Sequence, residues 1–149
     1  MYQKHFSRGI EMKAIVYVEG KSTSPFVEGT SGIECIKSET LESLPAAVYE
    51  EIELVDVLEF DKNPQILSVA LQKLRHGATL RIVGTDALQV IRESEGGRVD
   101  MEKASEQLLN GRLRMTSAHD LKSELSSMEM EVTALSISGF RYLVEARRK

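Results

Sequence analysis

IELVDVLEF (residues 52–60) is the stretch on which the reading of this chain turns. An apolar run through Ile52, Leu54 and Val55 meets Asp56 and then Leu58-Glu59, just ahead of Asn63-Pro64. Ligand crevices form beyond the carboxyl ends of strands in alternating α/β chains, so acids placed there raise the questions of fold and site together.

Downstream, Asn63 followed by Pro64 is a helix cap with proline at the first helical position. Ile66, Leu67, Val69, Ala70, Leu71 and Leu74 form a broad apolar stripe at helical spacing. His76-Gly77 is the expected stop. Residues 78–83 (ATLRIV) read as the next strand, and Gly84-Thr85-Asp86 leads into a short helix ended by Gly96-Gly97. A further helix is expected over residues 100–109, closed by Asn110-Gly111. Ser117 with Asp120 starts another, with Leu121, Leu125 and Met128 on its inner face. Residues 130–137 and 140–146, joined by Ser138-Gly139, read as an antiparallel hairpin, with Phe140 and Tyr142 filling core.

Upstream, KAIVYVE (residues 13–19) has little sign of a wet face and reads as a central strand. GKSTSPFVEGTSG (residues 20–32) is turn chemistry throughout. Residues 33–36 form a small strand, and residues 40–47 a helical turn limited by Pro45. This order predicts an α/β fold: a mostly parallel sheet with helices on both faces and a C-terminal antiparallel hairpin. Residues 1–12 read as a flexible tail and residues 13–149 as a single domain.

Composition narrows the function. Nineteen basic against 23 acidic residues leave a formal charge of -4, which argues against a protein that mainly neutralises nucleic-acid phosphates. A membrane span needs about 18 consecutive apolar residues. No run approaches that length, and the start MYQKHFSRGIEM lacks a secretory apolar core. The single cysteine, Cys35, lies in the apolar run GIECI and reads as a buried thiol in a reducing compartment, so the expected home is the cytoplasm. The three histidines, His5, His76 and His119, have no metal-ligand spacing, and no metal is expected. EGKSTS (residues 19–24) would need a glycine where Ile15 stands to be a phosphate-binding loop. Arg147, Arg148 and Lys149, with Arg112 and Arg114, read either as contacts for an acidic partner or, as is more usual, as charges that solvate a chain end.

Residues 49–86 resemble class I S-adenosylmethionine-dependent methyltransferases. In that family a strand ends in a phrase like "hvLEH", a helix follows, and "LkpGGrLri..pD" forms the next strand. Val57-Leu58-Glu59 matches the first phrase, with Phe60 for the histidine; Leu74 to Ile82 matches the second, with Arg75-His76-Gly77 at the turn. Residues 110–149 resemble the family's closing helix and reversed hairpin. The resemblance implies a Rossmann-like fold and S-adenosylmethionine as cofactor, and it implies a cofactor site at Glu19, Gly20, Ser22, Thr40, Asp56, Val57 and Glu59. Glu19, Gly20 and Ser22 would line the methionine side. ETLESLP (residues 39–45) resembles the adenine-side segment, with Thr40 where an aspartate is usual.

The first third departs from the family. A single glycine, Gly20, stands where a glycine-rich turn is usual. The span between Gly20 and Ile33 is too short for a helical crossover plus a second strand, which leaves Glu28 as the only acid there to hold a ribose. The second strand is therefore expected to be lost, with a sheet edge exposed to a protein partner or another copy. Three readings follow: a methyltransferase with weakened cofactor binding, a non-catalytic module of the same fold, and an unrelated α/β binding protein. Asp56 and Glu59 either face the crevice, or cap the next helix, or face water.

Overall fold

The computed structural model describes residues 12–21 and 33–149. Ser22, Glu28 and nearly all of the expected tail lie outside the described residues. Six strands form one sheet: β1 (Lys13–Tyr17), β2 (Ile33–Lys37), β3 (Tyr49–Val55), β4 (Leu74–Thr85), β5 (Met130–Ser138) and β6 (Arg141–Arg148). Their order is β2-β1-β3-β4-β6-β5. The first four pair in parallel, and β6 runs antiparallel to both β4 and β5. The helices are α1 (Val57–Phe60), α2 (Ile66–Lys73), α3 (Ala87–Glu95), α4 (Met101–Leu108) and α5 (Ala118–Ser127), with a 3-10 helix at Ser38–Ser43. The expected mostly parallel sheet with its terminal hairpin is the observed one.

Register explains where the core sits. Val16 pairs with Leu54, Leu54 with Ile82 and Ile82 with Val144, so one apolar row crosses four strands. Ala14, Ile52, Leu80 and Ala146 make a second row beside it. Side chains alternate faces along a strand, so both rows point the same way. Ile66, Leu67, Ala70 and Leu71 of α2, Leu121 and Leu125 of α5, and Leu41 pack on them in one buried cluster. Opposite-face residues carry cross-strand charges instead: Arg81 pairs with Glu51 and Glu145 at 3.0 Å each, and Lys13 reaches Glu51 at 3.5 Å.

Several expectations are corrected. The second parallel strand is not lost: it is β2, hydrogen-bonded to β1 on the side away from β3. Cys35 is exposed, because β2 is an edge strand on which only Ile36 is buried. The strand expected over residues 52–58 ends at Val55, since Asp56 adopts a left-handed conformation (φ 55°) that turns the chain into α1. α2 starts at Ile66, because Asn63 spends its side chain on a turn, accepting from the Gln65 amide at 2.9 Å. His76-Gly77 does not stop that helix. It lies inside β4, in an irregularity where pairing jumps from Tyr49↔Leu74 to Glu51↔Thr79, with Gly77 at φ 81°.

Three of the five basic residues read as solvating a chain end clamp backbone or neighbouring side chains instead. Arg148 donates to the carbonyls of Leu71 and Leu74, at the carboxyl end of α2. Arg114 donates to those of Leu58 and Asp61 at 2.6 and 2.9 Å. Arg112 donates to Thr85 Oγ1 at 3.0 Å. Cations suit the negative ends of helices, and an antiparallel β6 brings Arg148 back to one. Buried Lys73 works alike, donating to the carbonyls of Glu42 and Leu44.

The α3–α4 excursion leaves the sheet and returns to it beside one residue, Asp86. Asp86, 1% exposed, accepts from the Gln89 amide that starts α3 and from the Ala118 amide that starts α5, each at 2.9 Å. Its own amide donates to the Phe140 carbonyl, and Ala87 donates to that of Thr116. Asp86→Ala removes both caps, and each cap contributes about 1 kcal/mol. A loss of about 2 kcal/mol in urea-unfolding stability is the expected outcome, with Asp86→Asn recovering part of it.

Candidate functional site

Parallel pairing places four strand ends on one rim. Tyr17 is level with Lys37 and with Val55, and Val55 is level with Val83. The segments that follow, Val18 to Lys21, Ser38-Glu39, Asp56 to Asn63 and Gly84 to Asp86, therefore share one end of the sheet. A cavity of about 410 Å³ opens there, lined by Val18, Glu19, Lys37, Ser38, Glu39, Phe60, Asp61, Lys62 and Asn63. Glu19 pairs with Lys37 at 3.2 Å. Gly20 sits in the turn after β1 at φ 75°, a conformation that costs glycine little. Asp61 is buried and holds the wall, accepting from Ser38 at 2.6 Å and from the Asn63 amide at 2.9 Å. This wall ties β2's exit to α1.

Beside the cavity lies a polar cluster that no local sequence signal announces. Asp56, 4% exposed, receives both arms of Arg141 at 2.6 and 3.2 Å. Such a two-pronged pair is directional as well as strong. Glu59 is 1% exposed, and its Oε1 accepts from Thr116 at 2.5 Å and from Tyr142 at 3.0 Å. Its Oε2 has no hydrogen-bond partner among the described residues. Gly84 makes this packing possible, since a Cβ there would meet the Tyr142 hydroxyl at 2.6 Å and Glu59 Oε1 closer still.

Burial pushes the Glu59 carboxyl above its ordinary pKa, against the lowering effect of its hydrogen bonds, and the Asp56 charge adds to the rise. Burial also raises the Tyr142 phenol, with Glu59 beside it.

The structure brings most of the sequence-derived site residues to this rim and divides them in two. Glu19 lines the cavity, and Gly20 stands in the turn beside it. Thr40 is exposed and donates to the Lys37 carbonyl at 2.8 Å, while its neighbours Ser38 and Glu39 line the cavity. Asp56, Val57 and Glu59 point inward, Val57 into the apolar core at 0% exposure. The view that Asp56 and Glu59 face water is corrected, for both are buried and engaged. Asp56 does stand at the start of α1, but its side chain makes no cap hydrogen bond.

Glu39, Phe60 and Asp61 were missed as lining groups. ETLESLP carried the signal for Glu39, one residue ahead of the position compared with the family's aspartate. Arg141, Tyr142 and Thr116 reach the cluster across separations in sequence of 85, 83 and 57 residues, beyond any local pattern.

Two outcomes test this geometry. Gly84→Ala forces Glu59 and Tyr142 apart, with an expected loss of about 1–3 kcal/mol by chemical denaturation. Glu59 also links stability to pH. A carboxyl whose folded pKa exceeds its unfolded value contributes stability in full below the unfolded value, and that contribution is lost as pH rises through the folded one. Wild-type stability should fall over that window, and the fall should be absent in Glu59→Gln.

No protein-family model matches the chain, and no curated protein matches it in sequence. Solved structures do match. An S-adenosylmethionine-dependent methyltransferase from Mesorhizobium loti aligns at TM-score 0.61 and 10% identity, over 99% of this chain and 96% of that one. One from Methanosarcina mazei aligns at 0.59 and 11%, over 99% and 97%. A Thermotoga maritima protein described as a SAM-dependent methyltransferase, possible histamine N-methyltransferase, aligns at 0.54 and 17%, over 79% of this chain; the match spans 65% of the Thermotoga chain. The chain therefore has the fold of class I S-adenosylmethionine-dependent methyltransferases.

Proposed function

We propose that this chain is a methyltransferase-like domain, spanning residues 13–149, that binds S-adenosylmethionine in the rim cavity. The cavity's lining carries the reading. Glu19 and Glu39 are carboxylates at the exits of β1 and β2, suited to accept from the two ribose hydroxyls and to favour a cationic sulfonium. Phe60 and Val18 offer apolar surface for a purine, and Lys37 and Lys62 offer charge for an amino-acid carboxylate. Gly20 supports the turn that would come closest to the methionine part.

The cofactor would supply an electrophilic methyl group. Its transfer depends chiefly on holding an acceptor lone pair in line. Asp56 and Glu59 serve this site from behind, fixing the exit of β3 through Arg141, Thr116 and Tyr142. The likeness to S-adenosylmethionine-dependent methyltransferases, and to PigF, solved with SAH, at TM-score 0.52 and 12% identity, supports the same ligand class.

One observation favours a second reading, a non-catalytic module of this fold that works by docking to a protein. The large hydrophobics exposed among the described residues, Leu88, Ile91, Met101, Leu109, Leu113 and Met115, all fall between β4 and α5.

Calorimetry with S-adenosylmethionine and S-adenosylhomocysteine separates the two. Measurable binding is expected, and Glu39→Ala should weaken it about tenfold, the value of one hydrogen bond to a charged group. Absence of heat from either ligand with folded protein would overturn the cofactor reading and leave the docking module.

A further inference from the structure

Residues 110–116 leave α4 through a turn at Asn110-Gly111 and cross the rim with an inverted pattern. Arg112, Arg114 and Thr116 turn toward the protein, while Leu113 and Met115 are exposed at 55% and 60%. The segment reaches both walls of the cavity. Gly111 lies close to the Lys21 ammonium in the turn after β1, so that a Cβ there would meet it at 2.9 Å. The Arg112 guanidinium covers the Phe60 ring at 4.9 Å. Glu59 fastens it three times: its carbonyl accepts from Leu113 at 2.7 Å and from Arg114 at 3.4 Å, and its carboxyl accepts from Thr116.

We propose that residues 110–116 are a strap along the cavity rim, latched by the protonated carboxyl of Glu59 and released when that proton leaves. The charged groups around the latch support this sense. On α1's side, Asp56 is bound to Arg141, and Asp61 to Ser38 and Asn63. At the exit of β4, Asp86 has both oxygens on backbone amides. On the strap, Arg112 donates to Thr85 and to the Glu106 carbonyl, and Arg114 donates to two carbonyls. On β6, Arg141 serves Asp56, and Tyr142 offers Glu59 only a hydroxyl.

An ionised Glu59 would therefore stand buried without an ion-pair partner among the described residues, and burial disfavours that charge more than its two hydroxyl donors favour it. Gly84 of β4 and Tyr142 of β6 border the carboxyl from the sheet, and Thr116 borders it from a segment outside the named helices and strands. Lifting that segment would let water reach the carboxylate.

Hydrogen exchange at the amides of Leu113, Arg114 and Thr116 tests this on the whole chain without cofactor, so the outcome is independent of the proposed cofactor binding. Release coupled to one proton should cost strap protection about tenfold per pH unit above the Glu59 pKa, beyond the intrinsic pH dependence of exchange, while Leu80 and Ile82 stay protected. Glu59→Gln should abolish that extra loss. Thr116→Val, which keeps the carboxyl and removes one latch hydroxyl, should leave the strap weakly protected at every pH. The inference is overturned if Glu59→Gln shows the wild-type pH slope, or if Thr116→Val is protected like wild type. Should Glu59→Gln fail to fold, wild type and Thr116→Val decide the matter by the same comparison.

Discussion

Four parallel strands ending at one level are the constraint from which the rest of this molecule follows. Tyr17 stands level with Lys37 and Val55, and Val55 with Val83, so every connection leaving those strands is delivered to one rim. Parallel strands need long connections, and those connections carry the chemistry because the sheet cannot. The cavity wall, the Asp56–Arg141 pair and the Glu59 cluster are consequences of that shared ending. The same registers align the apolar rows that α2 and α5 cover. Core and site are thus two readings of one set of hydrogen bonds.

Buried charge at the rim is balanced group by group. Asp56 has a guanidinium, Asp86 has two backbone amides, Asp61 has a hydroxyl and an amide, and Glu59 has two hydroxyls. The two hydroxyls bring no charge to Glu59, and burial raises its pKa. Placing an acid among hydroxyls sets its ionisation by burial rather than by a partner.

Much of the architecture was legible because local chemistry and tertiary environment agree. Ser117 looks like a helix cap and acts as one, and the alternation around Tyr142, Val144 and Ala146 marks the inner face of β6. Reading failed where a residue does something its neighbours do not announce. Asp56 adopts a left-handed backbone that ends β3 early, and His76-Gly77 interrupts pairing inside β4 instead of ending α2. Cys35 sits in an apolar run, yet lies on an edge strand. At the rim, Glu19 and the acids of IELVDVLEF were visible as candidates. The partners that turn Asp56 and Glu59 inward come from β6 and the strap, and only the closed fold supplies them.

The fastening at Asp86 bears on how this architecture can change. The chain departs after β4 and returns to α5 through the same few atoms: the Asp86 carboxylate, its amide, and the Thr116 carbonyl. An excursion with its base pinned in this way exerts little pull on the sheet whatever its length. Helices could be lengthened, exchanged or removed beyond that clasp while the rows of Leu54 and Ile82 stay where they are. The clasp thus makes this stretch the natural place for diversification, leaving the frame beneath it unaltered.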